Sequence, residues 1–104
     1  IRALVFIGDA LEENPDKLCQ LAGQCGMRQL PLFLFQEGGD ATVRETFRCM
    51  AKVSRGAYAR FDGSSAGTRS ALLGAVAAYA AGGRAALENN RSESAKLLLQ
   101  QLNN

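Results

Sequence analysis

Oxygen-bearing side chains at the ends of apolar runs are where this 104-residue sequence could do chemistry. Three runs each stop at an acidic or hydroxyl-rich turn: Asp9 with Glu12 and Glu13, then Glu37 and Asp40, then Asp62 with Ser64 and Ser65. Carboxylates and hydroxyls without imidazole suit hard cations such as Mg²⁺, Ca²⁺ or Mn²⁺. The chain has no histidine, which removes Cys/His zinc sites, Ser/His and Cys/His nucleophilic pairs and the commonest general base. Its three cysteines, Cys19, Cys25 and Cys49, are odd in number. Cys19 and Cys25 stand six apart, on different faces of a helix, so buried thiols are expected rather than a disulfide or a redox pair. Asp40 and Ser65 also fit as helix caps, and Glu12 and Glu13 as solvated loop charges. Asp9 has no capping register for a helix starting near Pro15, which makes it the leading metal candidate; Glu37, Asp40, Asp62 and Ser64 are weaker ones.

The elements that must position these residues repeat one pattern three times: apolar strand, polar turn, amphipathic helix. Ala3 to Ile7 has no polar alternation and carries β-branched and aromatic members, as a strand covered on both faces does in a parallel α/β sheet. Ligands of such sheets lie beyond the carboxyl ends of the strands, where Asp9 falls. Asn14 as cap, Pro15 at the first helical position and Asp16 in the first turn start a helix, with Leu18, Leu21, Ala22 and Cys25 as its buried stripe and Gly26 as a left-handed end. Pro31 to Phe35 reads as the second strand, its proline tolerated at the opening. Asp40 caps a helix with the stripe Val43, Phe47, Met50, Ala51 and Ser54, closed by Gly56. Ala57 to Phe61 alternates in polarity and is expected at the sheet border. Asp62-Gly63-Ser64-Ser65 caps a third helix with the stripe Leu72, Leu73, Val76, Tyr79 and Ala80, and Gly82-Gly83 predicts a kink or stop. Residues 85–91 read as a polar linker, and helical periodicity returns from Ala95 to Leu102, a segment that needs an apolar surface to lie on.

Composition bounds the rest. With 47% hydrophobic and 21% charged residues, the chain is one α/β domain of ordinary size, with no boundary signal inside it. Twelve basic against ten acidic residues, a formal charge of +2, give no argument for nucleic acid or membrane. No apolar stretch reaches the roughly 20 residues of a membrane span and no signal-type segment is seen, so a cytoplasmic location is expected.

Arg2-Ala3-Leu4-Val5-Phe6-Ile7-Gly8-Asp9, Leu30-Pro31-Leu32-Phe33-Leu34-Phe35 and Gly56-Ala57-Tyr58-Ala59-Arg60-Phe61-Asp62 together resemble the later half of a bacterial von Willebrand factor A (VWA) domain, over about residues 1–81. The resemblance implies a doubly wound sheet with a metal-ion-dependent adhesion site. That family builds its site from an Asp-x-Ser-x-Ser loop, a threonine, and an aspartate after the fourth strand; only the aspartate has a counterpart, Asp9, and its neighbours are Gly8 and Ala10 where the family has Thr or Ser and Gly. Asp62-Gly63-Ser64-Ser65-Ala66 imitates the missing loop but ends in alanine and follows a different strand. The expected protein is therefore a three-stranded, mainly parallel βαβαβα sheet with flanking helices and a C-terminal helix. It is expected to serve as a non-catalytic protein-interaction module with an incomplete metal site that binds Mg²⁺ weakly or not at all. The alternative is a small-ligand or nucleotide-binding flavodoxin-like or Rossmann-like protein, although no glycine-rich phosphate loop follows a strand. Because the chain opens on its most apolar strand, it reads as a piece of a longer protein. Its first strand would then be an adhesive edge, and a sheet face carrying Val5, Phe33 and Phe35 would lie bare. Both predict a homo-oligomer, formed by edge-to-edge pairing about a two-fold axis or by packing of the tail helix Ala95 to Leu102 on the bare face.

Overall fold

Burying three short apolar strands is the main demand of the sequence. The computed structural model, which describes residues 3–61 and 66–102, meets it with one parallel sheet and helices on both faces. The elements are β1 (Leu4–Gly8), α1 (Pro15–Met27), β2 (Leu32–Glu37), α2 (Ala41–Ser54), β3 (Ala57–Phe61), α3 (Ala66–Asn90) and α4 (Glu93–Leu102). The strand order is β1-β2-β3, with Phe6 beside Leu34 and Leu34 beside Tyr58. The fold is the expected α/β, Rossmann-like arrangement. Asp62, Ser64 and Ser65 lie outside the described residues.

Two successive crossovers in one direction put α1 and α2 on the same face, over Leu32, Leu34 and Tyr58. Phe33, Phe35, Ala57, Ala59 and Phe61 point the other way and are covered by Leu72, Ala75 and Val76 of α3 and Ala95 and Leu98 of α4. Phe33 also meets the Tyr79 ring edge-on at 5.5 Å. The bare face expected at Phe33 and Phe35 is thus corrected: both are buried, because α3 crosses to the second face and α4 packs on its own chain.

Local signals explain the boundaries. Asn14 Oδ1 accepts from the N–H of Asp16 at 2.8 Å, and Asp40 Oδ1 from that of Val43 at 3.0 Å, so both caps form as expected. The α2 stripe Val43, Phe47, Met50, Ala51 and Ser54 is buried throughout. Ser54 Oγ accepts the Leu32 N–H at 3.1 Å, joining the end of α2 to the start of β2. Ser92, unforeseen as a cap, accepts from Ala95 N–H at 3.0 Å. Gly83, at φ 72, breaks α3 where the paired glycines predicted it. Residues 85–90, expected as a polar linker, are helical and bury Leu87.

Two glycine readings change. Gly26 is helical, α1 continues to Met27, and the positive φ falls at Gln29. A Cβ on Gly26 would lie 2.2 Å from the Val53 carbonyl oxygen, so this glycine allows α1 to press against the last turn of α2. The left-handed residue ending α2 is Arg55, whereas Gly56 is required for space: its Cβ would stand 1.8 Å from the Leu32 carbonyl oxygen.

The helix α3 modifies the expectation about membrane spans, since Gly67–Asn90 is long and apolar enough to cross one, by length and composition alone. Its apolar content is mostly alanine, its Leu72, Ala75 and Val76 are spent on the sheet, and Gly83 interrupts it.

β1 departs most from expectation. Covered faces were expected, yet Leu4 and Phe6 are each 43% exposed on the α1/α2 side. The reason is that α1 packs mainly against α2 and leaves β1 uncovered. Leu34→Ala should therefore destabilise by about 2–5 kcal/mol, whereas Phe6→Ala should cost well under the roughly 3–5 kcal/mol of a buried phenylalanine. Urea unfolding of both variants checks this; equal losses would contradict the exposed position of Phe6.

Candidate functional site

The parallel register sets Gly8 beside Gln36 and Glu37 beside Phe61, so the chain leaves all three strands at one edge of the sheet. Asp9 is exposed in the bend after β1, and Glu37 is half-buried at the end of β2. Asp40 is spent on its helix cap. Glu12 is exposed, and Glu13, just ahead of the Asn14 cap, pairs with Lys17 of α1 at 3.7 Å, in solvent where such a pair contributes little. Among the described residues, no group of three or more His, Cys, Asp or Glu is placed to hold a metal ion. Among the described residues Asp9 has no partners in such a group, and the candidates Asp62 and Ser64 lie outside them.

What fills this end of the sheet is a polar lock that sequence reasoning missed. Gln36, one residue past the expected end of the second strand, belongs to β2 and is fully buried. Its Nε2 donates to the Asp40 carbonyl at 2.9 Å, and its Oε1 accepts the Tyr58 hydroxyl. Burial raises the pKa of the Tyr58 phenol, against the downward pull of Arg48, Arg44 and Arg60. The Arg48 guanidinium lies 5.4 Å from the Tyr58 ring centre, and Arg60 Nε donates to the Gly38 carbonyl at 2.7 Å. Gln36, the Tyr58 hydroxyl and the Asp40 carbonyl satisfy one another, as buried polar atoms must, and tie β2 and β3 to the cap of α2. A lone Gln after an apolar run carries no sequence signal for this role.

The tertiary structure also pairs Cys19 with Cys49, thirty positions apart, where α1 meets α2. The Cys19 thiol points to the Thr46 carbonyl at 4.0 Å. Burial, then the hydrogen bond and charge of Cys49, then Asp16, push its pKa up to about 11. The three cysteines are free, as expected, but half-buried rather than enclosed.

The two sheet edges differ. Leu4 N–H donates inward to Pro31 at 3.2 Å, so the alternate residues Val5 and Ile7 direct their backbone groups outward, where no described strand pairs with them. At the other edge, the Gln101 side chain of α4 accepts from Tyr58 N–H at 2.6 Å and donates to Tyr58 C=O at 2.5 Å. Its amide stands where a neighbouring strand would.

Two outcomes follow. Calorimetric titration with Mg²⁺ should show no stoichiometric tight site; a low-micromolar site abolished by Asp9→Ala would overturn this. Cys19 favours its neutral form in the folded state, so its contribution to stability holds below pH 9.0 and is lost as pH rises toward about 11. Peptide-mapped alkylation with iodoacetamide near neutrality should therefore label Cys19 far more slowly than a free-cysteine peptide, and rapid labelling would contradict the assigned environment. In comparisons with known proteins, the chain matches no family model, no curated protein and no solved structure.

Proposed function

We propose that this chain is a non-catalytic protein-interaction module that associates with a second copy of itself through β1. The observation that supports this reading is the edge of β1 that no described strand pairs with, flanked by Leu4 and Phe6 at 43% exposure each. Such an edge templates pairing with another strand, and a two-fold arrangement would join two β1 strands antiparallel into one six-stranded sheet. Val5 and Ile7 would exchange backbone hydrogen bonds while Leu4 and Phe6 of each copy lose their remaining water. The resemblance to the VWA family supports the same reading, with Asp9 as the remnant of an adhesion-type site. The three free thiols are consistent with a reducing compartment such as the cytoplasm.

The strength of association follows from magnitudes. A fully buried Leu or Phe is worth about 1.5–3 kcal/mol, and less than half of each side chain remains to be buried. Four such fractions come to about 3–5 kcal/mol, comparable with the lower estimates of the cost of association, so the dimer rests on the added backbone hydrogen bonds and is weak, roughly hundreds of micromolar rather than nanomolar.

Sedimentation velocity across a wide concentration range should show a reversible monomer–dimer equilibrium, shifted to monomer by Phe6→Glu with an unchanged circular dichroism spectrum. A wild-type chain that stays monomeric at about millimolar concentration, beyond that range, would refute the reading.

A further inference from the structure

The edge of β3, opposite β1, carries a feature that dimerisation does not use. A trough of about 1130 Å³ runs beside the strand. One wall is α2 and its end, with Arg48, Lys52 and Arg55; Arg60 of β3 joins them, and Leu97 and Leu102 of α4 form the other wall. All four cations are exposed, and no acidic residue is among the trough's lining. The ion pairs between described residues involve other cations. Arg44, Arg48 and Lys52 succeed one another at four-residue spacing on one face of α2, where like charges repel and weaken the helix. A net charge of +2 therefore conceals a one-sided basic wall.

The floor of the trough is a strand edge. Tyr58 turns its N–H and C=O toward it, held by Gln101, and Arg60, two residues on, turns its backbone groups the same way. Arg48 and Lys52, four apart on α2, lie about 6 Å apart, close to the roughly 6.6 Å between every second side chain of an extended strand, so these two cations match the strand in step, and Arg55 follows them at the end of the helix. A strand laid along β3 would present one row of side chains to the basic α2 wall and the alternate row to Leu97 and Leu102.

We propose that the trough takes an extended peptide of alternating acidic and apolar residues, which adds to the sheet at β3. Gln101 is its placeholder: the peptide backbone takes over the two hydrogen bonds that the Gln101 amide makes with Tyr58. The acids face Arg48, Lys52 and Arg55, and the apolar residues rest on the leucines of α4. This extends the interaction-module reading to a second edge and a second kind of partner, by strand addition with side-chain pockets supplying specificity.

The test is fluorescence anisotropy with a labelled peptide alternating Glu and Val. A peptide of the same composition with its Glu and Val in two blocks, and a single-stranded oligonucleotide, serve as competitors. The alternating peptide should bind with strong salt dependence and at least about tenfold more tightly than the block peptide. Arg48→Glu with Lys52→Glu should weaken it by about tenfold or more, and Lys52→Glu with Arg55→Glu provides the same test without touching the Tyr58 ring contact. Gln101→Ala should tighten binding by vacating the strand edge. Absence of binding, equal affinity for the block peptide, tighter binding of the oligonucleotide, or weakened binding in Gln101→Ala would each overturn the proposal. Sedimentation of the same samples reads β1 association separately, so either edge can fail without the other.

Discussion

The double-sided burial of β2 is the constraint on which the rest depends. Leu32, Phe33, Leu34, Phe35 and Gln36 are all buried, which is possible only for a central strand with a layer on each face. Two successive crossovers in one direction spend α1 and α2 on one face. The other face then requires α3 to pass across the sheet and α4 to follow it. Without those two helices, Phe33 and Phe35 would form an exposed apolar patch of the kind soluble monomers avoid.

Close approach of α1 to α2 has its own consequence. Gly26 has no side chain to hold α1 away from the Val53 carbonyl, so α1 settles against the end of α2. That contact buries Ala22 and brings Cys19 beside Cys49, and it draws the helix away from β1. The exposed Leu4 and Phe6 are thus a product of helix–helix packing rather than of β1 itself, whose composition is that of a buried strand. Adhesiveness at this edge and tight packing of the α1/α2 layer have one cause.

The two edges of the sheet are handled by different physics. At β3 a side-chain amide stands in for a missing strand, satisfying Tyr58 with one donor and one acceptor in nearly strand-like geometry. The Gln36–Tyr58–Asp40 lock nearby leaves no buried polar side-chain atom without a partner among the described residues. At β1 no described side chain plays the part of Gln101. A sheet protected at one border and open at the other is polarised for association, and the basic wall beside β3 adds a charge preference to the protected side.

Much of the architecture was legible in the residues themselves because it rests on local chemistry. Asn14 and Asp40 can cap only the helices that follow them, the Val43 to Ser54 stripe can be buried only on one face, and paired glycines at 82 and 83 cannot continue a helix cheaply. Strand texture with intervening helices was enough for a parallel α/β sheet. The candidate site was far less legible. Placing Asp9 and Glu37 at one sheet edge follows from topology, but whether carboxylates converge depends on loop paths and distances of a few ångströms that no residue spacing encodes. Gln36 and Gln101 were invisible for the same reason: their partners lie across the fold, at Tyr58, and a glutamine looks alike in a turn, on a helix surface or in a buried lock. Exposure of β1 and the gathering of Arg48, Lys52, Arg55 and Arg60 around one trough were likewise decided only when α1 chose α2 over β1 and α4 came to rest beside β3. Those are outcomes of packing between distant segments, whereas capping, periodicity and strand texture act between near neighbours in the chain.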